Sequence, residues 1–342
     1  MATLKDIAEI AGVNVSTVSK ALRDSSDINE DTKSEIRKIA KDLDYKFKVS
    51  KRNPSNGVGI IGVICPEITS NYYSQIISII EEEVKKEGYF CIIGFTNFET
   101  NDERYYLKHL LNVDVDGIIF ITESSNVGNT LSEYKKATSI PLVLVAQNTE
   151  TKDFDCIKID DDYGVRLAVE HFIQMGHKDI GYVGDELSNT RLDIFMKVMQ
   201  ENKMKINKKW IQVEEERFEK CGYDLMSSLL KADDIPTAVL AAYDDIAIGA
   251  IKAVFDKGLK VPDDISVVGI DNVRISSYYQ PELTTIAGPV EEMGKIAVKL
   301  LFKKVKDRQY NVVQNVRLSP RLVQRKSAKE FIEQNDSHNV SK

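Results

Sequence analysis

The sequence predicts an α/β protein in which a small N-terminal three-helix unit, a helix-turn-helix headpiece, precedes a two-lobed core of doubly wound parallel sheets. Three observations carry this. Residues 1–47 place their apolar side chains at helical spacing only. From residue 58 onward, short β-branched runs such as "VGIIGVICP", "YFCIIGFT", "DGIIFIT", "PLVLVA", "DIGYVGD", "TAVLAAYD" and "ISVVGID" alternate with amphipathic runs of helical length. Strands this uniformly apolar are buried on both faces, which implies parallel sheets covered by helices, and their number suits two sheets rather than one.

The N-terminal unit follows from its caps. In "TLKDIAEIAGVNVSTVSKAL", Thr3 can accept the N–H of Asp6, and Leu4, Ile7, Ile10 and Ala11 recur at helical spacing along a first helix. Gly12 supplies a residue able to take positive φ at the helix end, and Asn14 or Ser16 can cap a second helix with Val18, Ala21 and Leu22 inside. A third helix begins after Asn29 and buries Ile36, Ile39, Ala40 and Leu43. Three short helices thereby share one core. The outward face of the second helix carries Ser16, Thr17, Ser19, Lys20 and Arg23. Short hydroxyls and long cations suit base edges and phosphates in a major groove about 12 Å wide; a solvated face of any small bundle reads the same way.

Net charge is −7, but residues 1–56 carry +2 and the remainder −9. The unit ends in "KFKVSKR", where Lys46, Lys48, Lys51 and Arg52 stand without an acid among them. The run reads either as a phosphate footprint or as a solvated linker.

"TLKDIAEIAGVNVSTVSKALRD" followed by "INEDTKSEIRKIAKDLDYK" resembles the helix-turn-helix headpiece of the LacI/GalR family of bacterial transcriptional regulators. The resemblance implies that Val15, Ser16 and Lys20 face bases. It implies that Thr3, Leu4, Thr17, Ser19, Arg23, Asn29, Thr32 and Tyr45 position the phosphate backbone. It extends through "DDDYGVRLAVEHFIQMGHKDIGYVG", "DDIAIGAIKAVFDKGLKVPDDISVVGID" and "YYQPELTTI" to about residue 325, implying a periplasmic-binding-protein-like core. The expected organisation is a headpiece at 1–47, a hinge at 48–57 and an effector-binding and dimerisation core at 58–330. Within the core, lobe one is expected at 58–160 and 290–320, and lobe two at 161–288 and 321–330. A tail at 331–342, without apolar periodicity, is expected to be disordered.

Ligands in such sheets are expected at strand C-terminal ends and in the cleft between lobes. Asp271, closing "ISVVGID", can accept from two hydroxyls of a polyol, and Arg191 in "SNTRLDIF" offers a planar donor fork. Both match effector-contacting positions of the family, and both read equally as partners in a structural ion pair or cap. Tyr72, Tyr73 and Phe218 offer rings to the same cleft, or ordinary packing. The chain also departs from the family pattern. Ala146 and Gln147 replace an Asp-Arg pair, and Tyr243 stands where a small polar residue is usual. These replacements argue for an effector less hydroxylated than a plain hexose, or differently shaped. The hinge segment "KVSKRNPSNG" holds Pro54, which disfavours helix at Asn53, so a weakly structured hinge is expected.

The expected partners are operator DNA, a second copy of the chain and a small effector, most simply a carbohydrate-like one; a phosphorylated protein partner is the alternative. Two tethered headpieces reading a pseudo-palindrome motivate the homodimer. With only His109, His171, His177 and His338, and no G-x-S-x-G, H-E-x-x-H or G-x-x-x-x-G-K-[ST], neither an enzyme nor a metal or cofactor is expected. His171 and His177 read as packing and capping residues, and Trp210 as a packing residue close to the surface. Four scattered cysteines, no signal-peptide pattern and no apolar run of the roughly 20 residues that span a bilayer argue for a cytoplasmic protein without membrane contact, and against an exported solute-binding protein.

Overall fold

The computed structural model describes residues 3–22, 27–43, 45, 59–124, 127–146, 149 and 151–331. Arg23, Lys48, Lys51, Pro54, Gln147 and the tail beyond 331 lie outside the described residues. The chain divides into two compact units, one made of the first 59 residues with Asn112–Asp114 and the other of Ile60–Leu111 and the chain from Val115 onward.

The small unit holds α1 (Leu4–Ala11), α2 (Val15–Leu22) and α3 (Glu30–Asp42). The caps are those expected. Thr3 and Asp6 form a reciprocal capping box, Gly12 ends α1 at φ 64°, and the Asn29 side chain accepts the Thr32 N–H at 2.8 Å. Ile7, Ala8, Val18, Ala21, Ile36 and Ala40 close a shared core.

The core alternates β1 (Gly59–Cys65), α4 (Asn71–Lys86), β2 (Tyr89–Phe95), α5 (Thr100–Asn112), β3 (Gly117–Thr122), α6 (Gly128–Ala137), β4 (Leu142–Ala146) and β5 (Asp155–Ile159). It continues with α7 (Asp161–Gln174), β6 (Ile180–Asp185), α8 (Asn189–Glu201), β7 (Ile211–Glu214), α9 (Phe218–Leu229), β8 (Ala238–Ala241), α10 (Asp244–Asp256), β9 (Ser266–Ile270) and β10 (Thr284–Ala287). After α11 (Val290–Lys306) come β11 (Asn315–Leu318) and β12 (Arg321–Val323). One sheet has the order β11-β5-β4-β3-β1-β2 and the other β12-β10-β9-β8-β6-β7. Strand β3 lies parallel between β1 and β4, with Ile61 opposite Gly117 and Ile118 opposite Leu142, whereas β12 runs antiparallel to β10.

Each sheet has its own core, and the chain passes from one lobe to the other three times, after β5, after β10 and between β11 and β12. Three passes at one edge make a joint about which the lobes can turn. Trp210 corrects the sequence reading. It is one of the largest fully buried side chains, inside the second lobe, where its indole N–H donates to the Asp234 carbonyl at 2.9 Å. His177 bridges Thr237 and the Lys329 carbonyl at 2.9 and 3.0 Å, a packing role. All four cysteines are free, and no helix among the described residues is long and apolar enough to cross a membrane.

Candidate functional site: an acidic, aromatic cleft and a basic helix face

In the small unit, Val15, Ser16 and Lys20 are exposed on α2, while Thr17 and Ser19 are half-buried. The Lys20 ammonium meets the Asp27 carboxylate at 3.0 Å, an exposed pair that is worth little in water and is readily exchanged for another partner. Thr3 and Asn29 serve as caps of α1 and α3, so their side chains hold helix N-termini. Leu4, Thr32 and Tyr45 are half-buried.

In the core, a cavity of about 90 Å³ opens where the C-terminal ends of both sheets face each other. Five of the six expected residues line it: Tyr72, Tyr73, Arg191, Tyr243 and Asp271. Phe218 does not. Its backbone stands at φ 62°, its N–H donates to the Tyr243 hydroxyl at 3.1 Å, and its ring lies under Arg217, which is the residue that reaches the wall. The sequence reading also missed Phe98, Glu123, Asp161, Asp185 and Arg217. Glu123 and Asp161 follow the apolar runs "DGIIFIT" and "CIKI" and Asp185 closes "DIGYVGD", so strand-end position alone could have found them.

Arg191 organises one wall. Its guanidinium donates to the Ala242 carbonyl at 2.7 Å and reaches Asp271 at 3.3 Å and Asp161 at 3.5 Å. Asp271 is held in place by its own backbone. At φ 102° it occupies a conformation unusual for a side-chain-bearing residue, and the bond from its N–H to the Ile286 carbonyl, 2.8 Å, fixes it there. The following loop hangs on buried Asp244, which accepts from the Val273 N–H and the Ser276 and Thr285 hydroxyls. Burial pushes the Asp244 carboxyl up to about 8 despite these donors.

The opposite wall is aromatic. Tyr72 and Tyr73 meet edge to face at 5.1 Å, and Tyr73 meets Phe98 at 6.0 Å. The Tyr73 hydroxyl donates to Glu123 at 3.0 Å; burial pushes the Glu123 carboxyl up to about 7, and the bond from Tyr73 works against that rise. Between its ordinary value of 4.5 and this one, the folded protein keeps a proton that the unfolded chain releases, so Glu123 costs stability as pH rises through that window. Tyr243 donates to Asp185 at 2.6 Å, and burial raises its hydroxyl above the usual tyrosine range.

Ala146 is buried at the end of β4 and is not among the lining residues. The one carboxylate expected to be lost from the rim with it does not leave the cleft without acceptors, since Glu123, Asp161, Asp185 and Asp271 line it. The walls can therefore take hydroxyl hydrogens and offer guanidinium N–H groups between rings, without a nucleophile–base pair. No group of three or more metal-ligating side chains occurs among the described residues.

A family model described as bacterial regulatory proteins, lacI family, matches residues 3–47, and one described as a periplasmic binding protein-like domain matches residues 169–328. The chain is 34% identical to the HTH-type transcriptional repressor PurR of Pasteurella multocida, over 96% of this chain and 99% of that one. It is 33% identical to the repressor of the same name from Haemophilus influenzae strain PittEE, over 97% and 100%. Among solved structures, the lac repressor dimer bound to operator and the anti-inducer ONPF superposes with a TM-score of 0.72 at 26% identity, covering 96% of this chain and 99% of that one. A LacI family transcriptional regulator from Enterococcus faecium with bound ribose gives 0.70 at 27% identity, covering 80% and 100%.

Proposed function

The chain belongs to the lacI family of bacterial regulatory proteins, and from that premise we propose that it represses transcription as a homodimer on a pseudo-palindromic operator, under control of a small carbohydrate-like effector in the cleft. It is a transcription regulator, not an enzyme. The observation that carries the effector reading is the composition of the cleft walls: the carboxylates of Glu123, Asp161, Asp185 and Asp271 and the guanidiniums of Arg191 and Arg217 line a narrow space edged by Tyr72, Tyr73 and Phe98. Carboxylate acceptors and a planar donor fork between ring edges suit a compact, hydroxyl-bearing molecule. Tyr243 narrows the space, so shape rather than hydroxyl count separates this effector from a plain hexose.

The second helix of the headpiece supports the DNA-binding part, since it presents Val15, Ser16 and Lys20 together to solvent. Exposed apolar side chains outside the cleft support the dimer: Phe90 and Ile92 on edge strand β2, and Ile275 and Tyr278 beside the second sheet. Effector binding that alters the closure of the two lobes would change the spacing of paired headpieces and hence operator affinity.

Thermal unfolding of the full chain against sugars, sugar phosphates, nucleosides and small acids tests the effector. A hydroxyl-rich ligand at about 100 times its Kd is expected to add about 2.7 kcal/mol of stability. Binding by a nucleoside or an acid alone would replace the carbohydrate-like assignment. Silence throughout, with operator binding intact, would favour a protein partner.

A further inference from the structure

We propose that Arg217 is the positioning residue of the cleft, a clasp that holds the two lobes closed and thereby sets the balance on which an effector acts. Arg217 stands at the N-terminus of α9 in lobe two. Its Nη1 meets Glu67, in the loop after β1 of lobe one, at 2.8 Å, and its Nε meets Asp185, at the end of β6, at 3.4 Å. The guanidinium lies between two rings, Phe98 of lobe one at 4.8 Å and Phe218 of lobe two at 4.5 Å. One planar cation thus joins an acid and a ring from each lobe.

The backbone is bent to make this seat. Phe98 stands at φ 65° and Phe218 at φ 62°, and Asn97 beside Phe98 at φ 49°. Bulky residues adopt the left-handed region only where their surroundings repay the strain, and here two such residues bracket the same side chain. The acids are fixed as well. Glu67 accepts the Thr69 hydroxyl, and Asp185 accepts the Tyr243 hydroxyl and the Ser188 N–H. Half-buried between rings, the Arg217 contacts are shielded from water, so they count for more than a surface ion pair. A second tie lies nearby: the Asn71 amide at the start of α4 donates to Asp245 of α10 at 3.1 Å. Because Arg217 also lines the cavity, any ligand entering the cleft meets the group that keeps the lobes together.

The inference rests on the cleft being the effector site only for its regulatory meaning; the closure itself is measured without effector or DNA. Spin labels at exposed Glu133 of lobe one and Asp233 of lobe two, each changed to Cys in a Cys91→Ser background, report the lobe separation by pulsed electron resonance. The full-length labelled chain is diluted with unlabelled protein to suppress distances between protomers. One short distance is expected for the parent, and a second, longer population for Glu67→Gln and for Arg217→Ala. Arg217→Lys, which keeps the charge but not the planar seat, is expected to retain part of the short population. If Arg217→Ala fails to fold, Glu67→Gln, which leaves the Arg217–Asp185 contact in place, still decides the matter. An unchanged single short distance in Glu67→Gln and in any folded Arg217→Ala would overturn the clasp.

Discussion

Replacing Gly222 or Gly249 by Ala is expected to destabilise the second lobe by about 3 kcal/mol or more, the upper range for overpacking a core. Both glycines are buried where α9 crosses α10. A Cβ on Gly222 would run into the backbone carbonyl of Ile246, and a Cβ on Gly249 into the backbone carbonyl of Glu219. The obstruction is reciprocal and made of main chain, so no side-chain rotation relieves it; the helices must separate. Their separation would disturb Arg217 and Phe218 at the start of α9 and Tyr243 before α10, so the cleft should suffer with the fold. Gly128→Ala is the control. Its Cβ would meet nothing within 4 Å at the first position of α6, and a gain of about 0.4–1 kcal/mol is expected there. Urea midpoints of the three variants check the contrast.

Arg191→Ala is expected to cost about 3–5 kcal/mol near neutral pH, because it leaves Asp161 and Asp271 facing each other with their shared cation gone. Effector response should be lost as well, since Arg191 and Asp271 stand in the same wall. The pH dependence has a definite sign. Burial already raises the Asp271 carboxyl above its ordinary value, with the Arg191 charge opposing that rise. Without the guanidinium the folded-state value climbs further, so the variant binds protons more tightly folded than unfolded and its deficit shrinks as pH falls. Chemical denaturation of parent and variant at pH 5 and pH 8 reads this directly. A deficit independent of pH would mean that lost packing, not uncompensated charge, dominates.

The parts of the molecule legible in the sequence are those set by local periodicity and capping chemistry. Continuous β-branched runs gave parallel strands, buried on both faces in the sheet centres, whereas "YFCIIGFT" forms edge strand β2 and leaves Phe90 and Ile92 exposed; Thr3, Gly12 and Asn29 marked helix ends that the structure keeps. The cleft was legible where a strand delivers a side chain to its C-terminal end, as for Asp271, or where a helix start faces the cleft, as for Tyr72 and Tyr73. Glu123, Asp161 and Asp185 have the same strand-end placement, which marks an acceptor near a cleft but does not say which of several such acids line it. Arg217 and Phe98 are a different case. They reach the wall through left-handed backbone at Asn97, Phe98 and Phe218, which no period or propensity announces. Trp210 was misread because its burial comes from the strands and loop folded over it, not from a local pattern.

Selecting binding sites from a randomised duplex library with the full-length protein tests whether a paired headpiece reads a defined DNA sequence. The parent is expected to enrich two inverted half-sites at fixed spacing, and Lys20→Ala to lose discrimination at the matching positions, at about 1–3 kcal/mol for a base contact. Enrichment of no sequence by the parent, or identical sites from the parent and Lys20→Ala, would contradict it.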